Sequence, residues 1–301
     1  MPSLQSTLLQ FFIRRMSFFG NGGPDPKLQR NHSDQVPLFS KPYRDVKAIP
    51  VDASGVPSEW LVPRGAPEDR TVLYLHGGAW YLGSTGVYRA FVSYLAYTAG
   101  IRALVINYRL APEHPFPAGL DDCIAAYDWL LQNGFAPNKI VVAGDSAGGN
   151  LTLALLVALR EAGAPLPTGA VAISPATDLA MTGESVRTRH HLDPYFYNMN
   201  ADSRIVPNYI TTHDPHEPTI SPLYADLYGL PPLLLHVGEN EILFDDSVRF
   251  YDKACSAGVD AKITIWPDMF HVFQMFTPFL PEARKANAQI AAFIQSRVVR
   301  P

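Results

Sequence analysis

KIVVAGDSAGGNLTLALLVAL, Lys139 to Leu159, is the stretch whose reading decides the fold. It opens with the apolar run Ile140 to Ala143, short and β-branched, the pattern of a strand buried in a parallel sheet. The chain then turns through Gly144-Asp145-Ser146-Ala147-Gly148-Gly149. Leu151, Leu153, Leu155, Leu156, Val157 and Leu159 follow with almost no polar face, which reads as a helix buried on most sides. Strand, tight turn and helix around G-x-S-x-G is the layout of a nucleophile elbow. A side chain on so sharp a turn is forced into a strained backbone conformation, and the flanking glycines remove the Cβ atoms that would collide. Ser146 is therefore expected at the carboxyl edge of the sheet, beside a helix N-terminus whose free N–H groups and dipole favour an oxyanion. An ordinary serine in a glycine-rich turn is the alternative, and the flanking strand and helix weigh against it.

The rest of the chain repeats the same rhythm. Candidate strands are Val46 to Val51, Glu59 to Val62, Val72 to Leu75, Ala103 to Asn107, Ile140 to Ala143, Ala170 to Ile173, Leu233 to Val237 and Lys262 to Trp266. Helical patterns lie at Tyr88 to Ala99, Leu120 to Gln132, Ala147 to Glu161, Asp246 to Ala257 and Glu282 to Arg297. Strands alternating with helices predict an α/β fold: a mostly parallel eight-stranded sheet with helices on both faces. No helix separates the first two strands, so that edge is expected to be antiparallel. Asp178 to Leu230, full of His, Tyr, Asn and Pro, breaks the rhythm and reads as an insertion packed over the carboxyl edge of the sheet.

Met1 to Gly20 carries Leu4, Leu8, Phe11, Phe12, Met16 and Phe19 at helical spacing, with Arg14 and Arg15 between them. Its basic residues follow the apolar stretch and Gln10 interrupts it, so it does not read as a signal peptide. With so few charges, a helix laid on the protein's own apolar surface is favoured over one lying in a membrane interface. Asn21 to Pro42, rich in Gly, Pro and Asn, reads as a linker or loop.

Composition narrows the function classes. The 301 residues are 47% apolar and 17% charged, which excludes wholesale disorder. A net charge of −4 and no dense Lys/Arg cluster give no footprint for nucleic acid. No apolar run is long enough to span a bilayer, so no stable membrane insertion is expected. Cys123 and Cys255 are too few for a disulfide framework; they read as buried free thiols, in keeping with a reducing, cytoplasmic compartment.

A serine hydroxyl needs a base, and the base an orienting acid. Of nine histidines, His190, His191, His213 and His216 fall in the irregular insertion, His32 and His114 in Pro/Asn-rich loops, and His236 inside a core strand. His271, in WPDMFHVFQMF after the last strand, stands at the edge where open α/β sheets form their sites, and is assigned as base. The acid is expected in VGENEILFDD, where Glu239, Glu241, Asp245 and Asp246 compete. Asp245 and Asp246 precede a helix, so capping and dipole compensation account for them. Glu241 lies in the loop itself and is the favoured acid, with Asp245 the alternative. The order Ser146, Glu241, His271 is the Ser–acid–His order of α/β-hydrolases. After the third strand, His76-Gly77-Gly78-Ala79 lets two adjacent glycines turn their N–H groups toward a carbonyl oxygen. Gly77, Gly78 and Ala147 are the expected oxyanion donors.

HGGAW, the run YRLAPEHPFPAGLDD from Tyr108 to Asp122, GDSAGGN and DMFHVF together resemble the hormone-sensitive-lipase-like branch of the α/β-hydrolases, from about residue 40 to the C-terminus. The resemblance implies a carboxylic-ester hydrolase using an acyl-enzyme, with Ser146 as nucleophile, His271 as base and no metal or organic cofactor. It also implies a helical cap in two parts, residues 1–44 and 179–230, over a core of 45–178 and 231–301. Tyr108, Arg109 and Glu113 would be supports near the oxyanion loop. Many members carry D-P-L-R-D where this chain has Glu241-Ile-Leu-Phe-Asp245. Glutamate at that position resembles a subset containing lactone and acetyl hydrolases, and its extra methylene keeps Asp245 in contention. The expected substrate is a small ester of short or medium acyl chain, with Phe11, Phe12, Phe18, Phe19, Tyr195, Phe196, Tyr197 and Tyr209 as candidate lining. Lactonase, amidase or deacetylase activity would use the same groups. A non-catalytic binding module is disfavoured by the presence of His271. Relatives often pair through the last strand and its neighbouring helix, so a homodimer is a further expectation.

Overall fold

The computed structural model describes residues 2–16, 30, 40–197, 205–277 and 279–298. Helix α1 spans Leu4–Met16, then β1 Val46–Ala53, β2 Val56–Pro63, β3 Thr71–Leu75, α2 Thr85–Ala99, β4 Arg102–Ile106 and α3 Ala118–Gln132. They are followed by β5 Ile140–Asp145, α4 Ala147–Glu161, β6 Gly169–Ile173, α5 Ser185–Thr188 and α6 Ile205–Ile210. The chain closes with β7 Leu233–Gly238, α7 Phe244–Ser256, β8 Ala261–Trp266 and α8 Pro281–Val298. The eight strands form one sheet in the order β1-β2-β4-β3-β5-β6-β7-β8. β1 and β2 are antiparallel to their neighbours, and β4 through β8 run parallel, as the missing helix between the first two strands requires.

Both faces of the sheet are covered because both faces of its strands are apolar. On one side Leu73, Leu104, Ile140 and Val142 pack against Leu120, Tyr127 and Leu130 of α3 and Leu151 and Leu155 of α4. On the other, Val72, Tyr74, Val141, Ala143 and Val171 meet Phe91 and Leu95 of α2 and Ile290 and Ile294 of α8. The alternation 72/73 and 141/142 between the two clusters is the period-two pleat of a strand buried on both sides. α7 adds Phe250 and Ala254 against Leu233 and Leu235.

Register brings the strand ends to one level. Leu75 of β3 lies opposite Gly144, Asp145 opposite Ile173, Ile173 opposite His236, and Gly238 opposite Trp266. The segments after β3, β5, β7 and β8 therefore leave the sheet side by side.

Helix α1 does lie on the protein, but not through the face its apolar spacing implies. Ile13 packs with Phe270, Phe273, Leu280 and Ala286, Ser3 donates to Glu282, and Gln10 donates to the Asp268 carbonyl. Leu4, Leu8, Phe11 and Phe12 face outward, between 51% and 74% exposed. Polar side chains of the helix supply part of the docking contact, which apolar periodicity does not register. Phe18, Phe19 and His32 lie outside the described residues. Cys123 is buried in α3 as expected, whereas Cys255 is exposed on α7, at a helical position that faces away from the sheet.

Asp246, expected as a dipole-compensating residue at the start of α7, has a further task. It is buried, and its Oδ2 accepts the N–H groups of Thr177 and Asp178, tying the end of β6 to α7. Burial pushes its carboxyl up to about 7, so across the window from 3.8 to about 7 the folded state holds a proton that the unfolded chain has lost. Stability carried by this group is therefore present below that window and falls as pH rises through it. Asp246→Asn keeps an acceptor for both N–H groups without the charge. Its melting temperature is expected to exceed wild type at pH 8, with the difference shrinking steadily toward pH 4; a constant difference across that range would contradict the buried charge.

Candidate active site

The turn at Ser146 is built by close approach. Ser146 has φ 52° and ψ −119°, in the positive-φ region that L-residues avoid. A Cβ on Gly144 would stand 2.3 Å from the Gly148 carbonyl oxygen, and one on Gly148 would stand 2.0 Å from that of Leu75. These two glycines let the N-terminus of α4 seat directly against the end of β3. Ser146 projects from this turn, partly exposed, with its N–H donating to the Ile173 carbonyl.

Three of the expected side chains meet there. Ser146 Oγ is 2.9 Å from His271 Nε2, and His271 Nδ1 is 2.7 Å from Glu241 Oε2. A carboxylate oxygen accepts, so Nδ1 carries the proton and Nε2 is left to accept from the serine hydroxyl. Glu241 is fully buried, and its second oxygen accepts from Ser174 Oγ at 2.9 Å and from the Gly238 N–H. His271 is 5% exposed. Burial lowers its pKa, but the Glu241 hydrogen bond and the charges of Glu241, Asp193 and Asp145 outweigh that and leave it raised overall.

The alternatives for the acid go elsewhere. Asp245 points to α5, where its Oδ2 accepts the Ser185 N–H at 2.8 Å, which removes it as partner of His271. Glu239 is exposed and accepts from the Asp268 N–H. His236 is buried, accepts from Trp266 Nε1 through Nδ1, and is pushed down to about 3 by burial, so it is neutral. Among the described residues its Nε2 has no partner, so it is less well satisfied than a core histidine is expected to be. His190, His213 and His216 bond locally within the insertion.

The oxyanion loop differs from expectation at one residue. Gly77 N–H donates to Asp145 Oδ1 at 3.1 Å, and that carboxylate also accepts from Tyr74 and Tyr88 at 2.8 Å each. An N–H already committed to a buried carboxylate is not available to a substrate oxygen, so Gly77 is an anchor of the loop. Among the described residues no oxygen takes the N–H groups of Gly78, Ala79 or Ala147. Ala79, missed in the sequence, has φ 54°.

The supports named in the sequence occupy the ground beneath this loop. Tyr108 Oη donates to the His76 carbonyl at 2.7 Å and its ring stacks on the His76 imidazole. Arg109 forms a multiply bonded pair with Asp122, and Glu113 pairs with Arg30, which also donates to the Tyr81 and Ala111 carbonyls. Above the site, the rings of Tyr195 and Phe196 stand edge-on to His271 at 6.3 and 5.3 Å between centroids. Tyr209 stacks on Trp80. Tyr197 is 42% exposed, and Phe11 meets Phe12 edge-on at the surface. No cluster of three or more His, Cys, Asp or Glu arranged to hold a metal is found among the described residues.

Comparison with known proteins follows the same lines. A family model described as the alpha/beta hydrolase fold matches residues 72–275. An acetyl-hydrolase of Streptomyces hygroscopicus is 43% identical over 239 residues, 79% of each chain. An esterase of Acinetobacter venetianus is 38% identical over 272 residues, 90% of this chain and 89% of its own. The crystal structure of an esterase from the bacterial hormone-sensitive lipase family superposes with a TM-score of 0.92 at 40% identity, covering 99% of both chains.

A test of the elbow's packing follows from Gly148. Gly148→Ala is expected to lower unfolding free energy by about 1–3 kcal/mol, the usual cost of overpacking. Urea denaturation at unchanged m-value checks it; wild-type stability would show that the approach to β3 is looser than 2.0 Å implies.

Proposed function

This chain belongs to the α/β-hydrolase family, in its hormone-sensitive-lipase-like branch, and from that premise we propose that it hydrolyses carboxylic esters through an acyl-enzyme on Ser146. One observation carries the reading: the unbroken hydrogen-bonded chain from Glu241 through His271 to Ser146 Oγ. His271 Nε2 takes the hydroxyl proton as Oγ attacks the ester carbonyl, and the Glu241 carboxylate holds the imidazole and balances its developing charge. The oxyanion is received by the N–H groups of Gly78 and Ala147, with that of Ala79 in the place first given to Gly77. Nε2 then gives its proton to the departing alcohol. Water, deprotonated by the same nitrogen, attacks the acyl carbonyl and frees Ser146.

Residues 1–44 and 179–230 are proposed as the two parts of a cap. Arg14 of α1 donates to the carbonyls of His191 and Leu192, which joins the two parts, and Tyr195 and Phe196 carry apolar surface down to His271. Walls of this kind suit a short or medium acyl chain. The printed names of the relatives, acetyl-hydrolase and esterase, point the same way. β8 is an edge strand of the sheet, with Ile265 43% exposed, and is the proposed pairing edge of a homodimer. Two unpaired cysteines support a reducing, cytoplasmic setting, and no helix among the described residues is long and apolar enough to cross a membrane.

Ser146→Ala is expected to reduce turnover of p-nitrophenyl butyrate by about four orders of magnitude or more. Near-normal turnover would remove Ser146 as nucleophile. Glu241→Ala is expected to lose at least about a hundredfold in kcat while Asp245→Ala stays close to wild type; the reverse ranking would move the acid to Asp245.

A further inference from the structure

Asp193 is a buried carboxylate that the mechanism above does not use. It lies in the insertion after α5, fully buried, at a turn where its own N–H donates to the Arg189 carbonyl. Oδ1 accepts the Tyr195 N–H at 3.1 Å, closing the turn that stands Tyr195 and Phe196 against His271. Oδ2 accepts the N–H of Ile242 at 3.3 Å, the residue next to Glu241. One carboxylate therefore holds two backbones at once: the cap turn carrying the rings over the imidazole, and the loop carrying its acid. A serine hydrolase triad needs a base and one acid, so a second carboxylate buried beside them, with no cation paired to it among the described residues, calls for a role.

We propose that Asp193 is a positioning residue of the triad, contributed by the cap, which fixes the Glu241 loop and the aromatic wall together and adds a second negative charge to the imidazolium formed in the transition state. The inference rests on His271 being the base. The groups facing that imidazole are Glu241 from the loop after β7, Asp145 from the end of β5, Asp193 and Tyr195 from the insertion, and the Ser146 hydroxyl. Burial and the Glu241 charge raise the Asp193 carboxyl to about 7, while the His271 charge lowers it, so the proton on Asp193 is linked to the charge on His271. The cap thereby becomes part of the site's electrostatics as well as its wall. A substrate that displaces the Tyr195–Phe196 turn acts on the base through one shared carboxylate.

The arrangement makes a prediction that a purely structural role would not. In Asp193→Asn one of the two backbone N–H groups faces an amide NH2, and the negative charge is gone. With p-nitrophenyl butyrate as probe, kcat is expected to fall about tenfold to a hundredfold with KM changed less than about threefold. The acidic limb of the kcat/KM profile is expected to move to lower pH, because the imidazolium has lost one of its anions. Asp193→Ser, which keeps a short uncharged acceptor for the Tyr195 N–H, is expected to move the limb the same way. An unmoved limb and wild-type kcat in either variant, with a cooperative melting transition retained, would overturn the proposal. So would failure of both variants to fold at 25 °C, which would make Asp193 a residue of the fold alone. Ser146→Ala run alongside keeps the two readings apart: activity surviving there would undercut the triad itself, whatever the Asp193 variants do.

Discussion

A single imidazole held at both ends, 2.7 Å from Glu241 and 2.9 Å from Ser146, is the interaction on which the rest of the structure depends. The three residues lie far apart in sequence and on separate strand ends. Hydrogen-bond distances among them survive only if β5, β7 and β8 finish at one level, which the register provides. A slip of one residue in β5 or β7 would exchange the faces of a strand buried on both sides, and the two apolar layers resist it. The packing of the core and the geometry of the site are thus one constraint.

The same economy governs charge. Asp145, Asp193 and Glu241 are buried around one histidine, and among the described residues none takes a hydrogen bond from a Lys or Arg. Backbone N–H groups and hydroxyls satisfy them instead: Gly77, Tyr74 and Tyr88 on Asp145, Ser174 and Gly238 on Glu241, Tyr195 and Ile242 on Asp193. Dipoles fixed by the fold do not move to screen a charge that develops on the imidazole, whereas a mobile lysine would. Each carboxylate also ties down the loop that a neighbouring group needs, so the loops after β3 and β7 and the turn at Tyr195 share their fastenings with the Ser146–His271–Glu241 chain.

Much of this was legible in the sequence, for reasons that differ by element. The strands and the five long core helices were readable because a doubly covered parallel sheet writes apolar runs separated by amphipathic helices, and α4 was placed to the residue by its glycine-rich start. The meeting of Ser146, His271 and Glu241 was readable because each sits where a strand ends. What failed depended on contacts that spacing does not carry. The Gly77 N–H turns to Asp145, distant in sequence, where the glycine pair alone suggested an open donor. The docking face of α1 was misread because Ser3 and Gln10 bind through polar atoms while Phe11 and Phe12 turn outward. Cys255 was placed inside because its helix is amphipathic, although its own position is on the exposed side. Asp193 left no signal, since a single acid in a polar, irregular insertion looks like surface until Ile242 is folded against it.

The most direct measurement is the crystal structure of the protein after reaction with a small alkyl phosphonate, which imitates the tetrahedral centre of ester hydrolysis. A covalent bond from phosphorus to Ser146 Oγ is expected, with the phosphoryl oxygen received by the N–H groups of Gly78, Ala79 and Ala147. The Gly77 N–H is expected to remain on Asp145, and His271 to stay hydrogen-bonded to Glu241. Phosphorus on another residue, or a phosphoryl oxygen bound by a Gly77 N–H that has left Asp145, would contradict the site as described.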